Sequence, residues 1–169
     1  MKVIAQSMEQ SADELNTADG QLGDGDLGVS MIQGFRDILD ILDSLPEDIG
    51  MAIYECAKAL TKSSGSSFGT LMATGMMAVA KVKKGYTIIE LEEVSRLFDI
   101  ALEAMQNRGK ASPGDKTVLD VIVAARDAAK NQSEGLTLLH SINQSINDTI
   151  DRFRNHQSQV GRARIFGEK

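Results

Sequence analysis

The sequence predicts an all-α fold, and three observations carry that expectation. Apolar residues recur at helical spacing along nearly the whole chain, strict alternation of the kind a half-buried strand needs is absent, and the joints between periodic stretches are short. Short connections make neighbouring helices run opposite ways, so the expected architecture is an antiparallel bundle or ring of about seven to eight amphipathic helices.

The elements follow in order. Val3, Ile4, Met8, Ala12 and Leu15 share one face of a first helix, which a Gly- and Asp-rich loop ends. Val29, Ile32, Phe35, Ile38, Leu39 and Leu42 form the second, stopped at residues 44–46 because Pro46 cannot sit in a helix interior. Ile49, Ala52, Ile53, Cys56, Ala57 and Leu60 give a third, ending in "TKSSGSS". A fourth, rich in small residues, spans about 68–82, where "KKG" supplies cations and a glycine stop. Leu91, Val94, Leu97, Phe98, Ala101, Leu102 and Met105 make the fifth, halted by "NRGKASPG". The sixth starts near Asp115 and carries Val118, Leu119, Ile122, Val123 and Ala125. The seventh carries Leu138, Leu139, Ile142, Ile146, Ile150 and Phe153, and the tail reads "VGRARIFGEK".

At 169 residues the chain is long enough for one compact domain and short for two, so a single domain is expected. Its net charge of -6 argues against nucleic acid or an anionic membrane as partner, since neither is attracted to a negative surface. No apolar run approaches the roughly 20 residues of a membrane span. The start, "MKVIAQSMEQSADEL", turns polar too early for a signal peptide, and a lone cysteine, Cys56, cannot form an internal disulfide, which makes a cytoplasmic location the default. The eight methionines read as core filler.

Chemistry concentrates in the loops. Residues 18–28, "ADGQLGDGDLG", pack Asp19, Asp24 and Asp26 among four glycines. Two carboxylates near 5 Å repel by about 3 kcal/mol at an effective dielectric of 20, so something must offset the cluster. The glycines let the backbone fold tightly enough to point several carboxylates at one place, and a hard divalent cation with oxygen ligands is the natural occupant. The other reading is a turn in which Asp26 caps the following helix, and residue types alone leave both open. An EF-hand is excluded: with Asp24 and Asp26 at positions one and three, position six is Val29 rather than glycine and position twelve is Phe35 rather than glutamate.

The second loop, "SSGSSFGT" at 63–70, opens a helix with small and hydroxyl residues, suited either to a phosphate at free amides or to a plain serine cap. It is neither a P-loop nor a dinucleotide fingerprint. The third, "NRGKASPGDKT" at 107–117, punctuates a helix-to-helix connection and offers Lys110 and Lys116 to a phosphate; the tail adds Arg162 and Arg164. His140 and His156 have no motif partner, and no nucleophile signature is present.

These loops in this order resemble the ADP-binding L subunit of the dihydroxyacetone kinase family and the related nucleotide domain of its single-chain, ATP-dependent members. The residues carrying the resemblance are "LNTADGQLGDGDLGVSM", "SSGSSFGT", "RGKASPGDKT" and "GRARIFGEK", spread over nearly the whole chain. The resemblance implies a helical barrel with the nucleotide at one end and no catalytic side chain of its own. Asp19, Asp24 and Asp26 would hold two Mg2+ ions bridging the phosphates of ADP or ATP. Leu27, Gly28, Val29 and Ser30 would lie beside those phosphates, Ser64 and Gly65 would contact the nucleotide, Gly109 and Val118 would lie near the base, and Arg162 would come from the last motif. In the phosphotransferase-dependent form of the family, a phosphohistidine phosphocarrier protein recharges bound ADP to ATP. The γ-phosphoryl then passes to dihydroxyacetone on a separate K subunit. Two positions depart from the family's G-D-x-D-H-G-x-N loop: Leu27 stands for the histidine and Ser30 for the asparagine. The family also continues past the position of Lys169 into an Asp-Pro-Gly segment and a last helix, so a domain shortened at its C-terminus is expected.

The sequence thus predicts a kinase subunit, with two alternatives. One is a helical module that binds a metal or phosphorylated ligand without transfer; the other is a structural bundle whose Asp-Gly loop is only a turn.

Overall fold

In the computed structural model, residues 1–62, 66–130, 132 and 134–166 are described. Among them are eight α-helices and no strand, in two compact units, Met1–Thr87 and Ile88–Lys169.

The first unit holds α1 (Lys2–Gln10), α2 (Ala12–Gly20), α3 (Leu27–Ile41), α4 (Ile49–Lys62) and α5 (Ser67–Lys83). The periodicity of residues 3–15 predicts one helix, but the chain breaks at Ser11, whose φ of -96° and ψ of 3° leave the helical region. Ser11 with Asp13 and Glu14 behind it is a helix start in its own right, since acidic residues favour a first turn. The same helix runs on to Gly20, which places Asp19 in the last turn of α2 rather than in the following loop.

α3 lies against α1, α2 and α4, and α4 against α5. The core of this unit is Ile38 from α3, Cys56, Ala57, Ala59 and Leu60 from α4, and Ala73 from α5, with Phe35, Ile41, Met72 and Met76 packed around it. Small residues at Ala57, Ala59 and Ala73 let these helices approach closely while Ile38 and Leu60 fill the space between them. At the start of α4, the Asp48 carboxylate accepts hydrogen bonds from Met51 N (2.9 Å) and Gly85 N (2.7 Å), and Ile49 N donates to the Tyr86 carbonyl (2.7 Å). Those two amides, Met51 first and Gly85 second, hold the Asp48 carboxyl below its ordinary pKa.

The second unit holds α6 (Val94–Gly109), α7 (Val118–Ala129) and α8 (Gly135–Phe153), with α7 packed against both α6 and α8. Leu102, Met105, Leu119, Ala124, Ala125, Ala129 and Leu138 are its buried apolar residues. Arg126 reaches from α7 to Asp99 on α6 (3.2 Å), and Ser145 Oγ on α8 donates to the Ala124 carbonyl (3.1 Å). α7 starts at Val118 and not near Asp115, because Thr117 and Asp120 form a capping box there. At the end of α6 the left-handed residue is Lys110 (φ 55°), one position beyond the glycine that the sequence offers as a stop. No helix of the described residues is long and apolar enough to cross a membrane.

Candidate metal centre

The acidic stretch folds into a tight link between α2 and α3. Asp19 sits in the last turn of α2, Gly25 takes a left-handed φ of 77° that favours glycine, and Asp26 is the residue immediately before α3. One carboxylate oxygen from each of Asp19, Asp24 and Asp26 lies within 4.8 Å of the others. Asp19 is half-buried, and Asp24 and Asp26 are exposed. Asp19 Oδ2 accepts from Gly25 N (2.8 Å) and Asp26 N (3.2 Å), which pins the turn around that carboxylate.

The donor set suits a hard cation. Mg2+ takes oxygen ligands at about 2.1 Å, so oxygens on opposite sides of one ion are roughly 4.2 Å apart, and a contraction of about half an ångström would bring the widest pair into range. Neither Asp19 nor Asp26 forms an ion pair among the described residues. The exposure of two of the three carboxylates leaves room for water or a phosphate oxygen beside them.

The capping alternative for Asp26 can be read directly. Its side chain makes no cap hydrogen bond to α3. That work is done from α2: Asn16 Oδ1 accepts from Gly28 N (2.7 Å) and Val29 N (3.3 Å), the first-turn amides that an ordinary cap would satisfy. Gly28 is required there, because a Cβ at this position would overlap the Ala12 carbonyl and the Asn16 side chain. Asn16 escapes a reading that looks only for acids. Its signal is the three-residue spacing to Asp19, which puts both on one face of the same helix.

The remaining predicted positions divide. Leu27, Gly28, Val29 and Ser30 form the first turn of α3 beside the acidic cluster, with Gly28 buried, Val29 exposed and the Ser30 amide bonded to the Asp26 carbonyl (2.9 Å). Ser64 and Gly65 lie outside the described residues; just beyond them Ser66 caps α5, its Oγ accepting from Phe68 N (3.2 Å). Gly109 is the exposed last residue of α6, and Val118 is the partly buried first residue of α7. Arg162 opens the 3-10 helix Arg162–Phe166, and its side chain also lies outside the described residues.

The 110–117 turn is occupied with its own structure. Asp120, buried, accepts from Thr117 N (2.7 Å) and Gly114 N, and Asp115 accepts from Ser112 N (2.7 Å). Lys116 (φ 60°) donates to the carbonyls of Arg154 (3.1 Å) and His156 (2.6 Å) just past α8, so its ammonium balances a helix C-terminus. His140 and His156 are exposed, and burial pushes the Cys56 thiol pKa up, which makes it a poor nucleophile.

Residues 21–169 match the family model described as the DAK2 domain. The chain is 29% identical over 163 residues to the PEP-dependent dihydroxyacetone kinase, ADP-binding subunit DhaL, of Escherichia coli (strain K12), covering 92% of this chain and 76% of that protein. It is 31% identical over 117 residues to the PTS-dependent dihydroxyacetone kinase, ADP-binding subunit DhaL, of Lactococcus lactis, covering 69% and 58%. Against the human triokinase/FMN cyclase the identity is 31% over 157 residues, covering 89% of this chain and 27% of that protein. The crystal structure of the dihydroxyacetone kinase from C. freundii in complex with AMP-PNP and Mg2+ shares the fold, with a TM-score of 0.75 at 24% identity over 88% of this chain and 27% of that one.

Proposed function

The chain belongs to the DAK2 domain family, and from that premise we propose that it is the Mg-ADP/ATP-binding subunit of a dihydroxyacetone kinase-like system. It presents a phosphoryl group to dihydroxyacetone, or a related small keto-sugar, bound on a partner K subunit. The observation that carries the reading is the meeting of Asp19, Asp24 and Asp26 with the Asp26 carboxylate left out of the helix cap. Phosphoryl transfer depends on positioning and charge neutralisation more than on a protein nucleophile, and metal-holding carboxylates suit that requirement.

In this proposal the three aspartates hold two Mg2+ ions. Bound there, the ions would neutralise the charge on the nucleotide phosphates. The Leu27 amide and the Ser30 side chain stand beside the phosphates, whereas the Gly28 and Val29 amides are held by Asn16 and contribute shape instead of donors. Ser64 and Gly65 contact the nucleotide, Gly109 and Val118 lie near its base, and Arg162 adds a guanidinium. The recharging donor is a phosphohistidine phosphocarrier protein in one version and free ATP in the other, and both act in the cytoplasm.

Calorimetry of ADP against the full chain, with and without Mg2+, tests the reading. Binding that requires the metal is expected; metal-independent binding, or none, overturns it. A second reading, ligand binding without transfer, is favoured by Leu27 and Ser30 standing where the family's loop has histidine and asparagine. Adding a dihydroxyacetone-loaded K subunit and a phosphate donor separates the two, because product formation excludes the passive module.

A further inference from the structure

We propose that Asn16 is a positioning residue for the acidic cluster: it caps α3 from outside and thereby keeps the Asp26 carboxylate turned toward Asp19 and Asp24. The inference rests on reading that cluster as a divalent-cation site.

Asp26 precedes the first residue of α3, where an aspartate ordinarily folds its carboxylate back onto the amides of the second and third helical residues. Here those amides are Gly28 N and Val29 N, and both donate to Asn16 Oδ1. An amide nitrogen cannot accept, so two N–H donors aimed at one Asn atom fix that atom as the oxygen. With its ordinary donors, the Gly28 and Val29 amides, already engaged, the Asp26 carboxylate makes no cap bond and contributes an oxygen to the three that lie within 4.8 Å.

The choice of side chain is informative. A carboxylate at position 16 would satisfy the same amides but would add a fourth negative charge near the cluster, whereas the amide accepts without charge. The approach also needs Gly28, since a Cβ there would come 2.7 Å from Asn16 Oδ1. Asn16 and Asp19, three residues apart on α2, therefore divide the link between them: Asn16 holds Gly28 and Val29, and Asp19 holds Gly25 and Asp26. Remove Asn16 and two first-turn amides lose their acceptor, with the Asp26 carboxylate next in line to take them.

The test is Mn2+ titration of the full chain, without nucleotide, for the wild type, Asn16→Ala, Asp26→Asn and the double variant, alongside a metal-free crystal structure of Asn16→Ala. Asn16→Ala is expected to weaken Mn2+ binding roughly tenfold, in the range seen when groups that orient metal ligands are removed. In the Asp26→Asn background the same change is expected to cost less than about twofold, because its route to the metal is already gone. The crystal structure is expected to show the Asp26 carboxylate within hydrogen-bonding distance of Gly28 N or Val29 N. An unchanged Mn2+ affinity, an equal loss in both backgrounds, or an Asp26 carboxylate that has not moved overturns the role of Asn16. A wild type that takes up no Mn2+ overturns the cation reading itself and this inference with it.

Discussion

Two turns in this molecule lead into helices and use their aspartates differently. The α2–α3 link and the 110–117 turn each combine Gly with Asp, each contain a left-handed residue, and each deliver the chain into a helix. Around 110–117 the carboxylates bind backbone amides: Asp120 accepts from Gly114 N and Thr117 N, and Asp115 from Ser112 N. At α2–α3 a neutral side chain, Asn16, takes over the cap, and three carboxylates converge with one of them clear of the helix. What distinguishes Asp26 from Asp120 is therefore which group satisfies the amides at the start of the helix.

The contrast is broken most sharply by the double change Asp24→Asn with Asp26→Asn. Mg-dependent ADP affinity is expected to fall at least about a thousandfold, since two of the three proposed carboxylate ligands lose their charge. Thermal melting of the metal-free chain should hold steady or rise slightly as repulsion is relieved. Asp120→Ala should behave the other way round. It orphans the Gly114 and Thr117 amides at a buried position, so a loss of about 2–3 kcal/mol in denaturant unfolding is expected, with Mn2+ affinity unchanged within about twofold.

Lys116→Met sharpens the comparison further. If the lysine serves the carbonyls after α8, stability drops by about 1 kcal/mol and ADP affinity does not move. The smallest effect concerns Asp48. Its carboxyl is held below the ordinary range by the Met51 and Gly85 amides, so its contribution is complete above the unfolded-state value and is lost as pH falls below about 4. Asp48→Asn should flatten that acid limb of a stability-versus-pH curve and leave the neutral region nearly parallel to wild type.

The all-α character was legible because helical periodicity survives in single-sequence reading, and the inward faces follow from apolar residues such as Ile38, Leu60, Leu119 and Leu138, which are buried. The helix ends were less so. Ser11 interrupts a continuous apolar stripe, and the left-handed position after α6 falls on Lys110 instead of Gly109, because tertiary packing and local capping outweigh the intrinsic preference of one residue. The grouping of Asp19, Asp24 and Asp26 was readable from their spacing, but the choice between ligand and cap was not. That choice hangs on Asn16, twelve residues from its hydrogen-bond partner Gly28, and no local pattern encodes a contact at that separation.

The close crossing at Gly28 has a practical corollary for engineering. Because the helix start is braced by Ala12 and Asn16, the smallest portable piece is not the eleven-residue Asp-Gly segment but the stretch 12–29 with both flanking helices attached. Transplanting 18–28 alone onto another scaffold would carry the acids across and leave behind the brace that aims them.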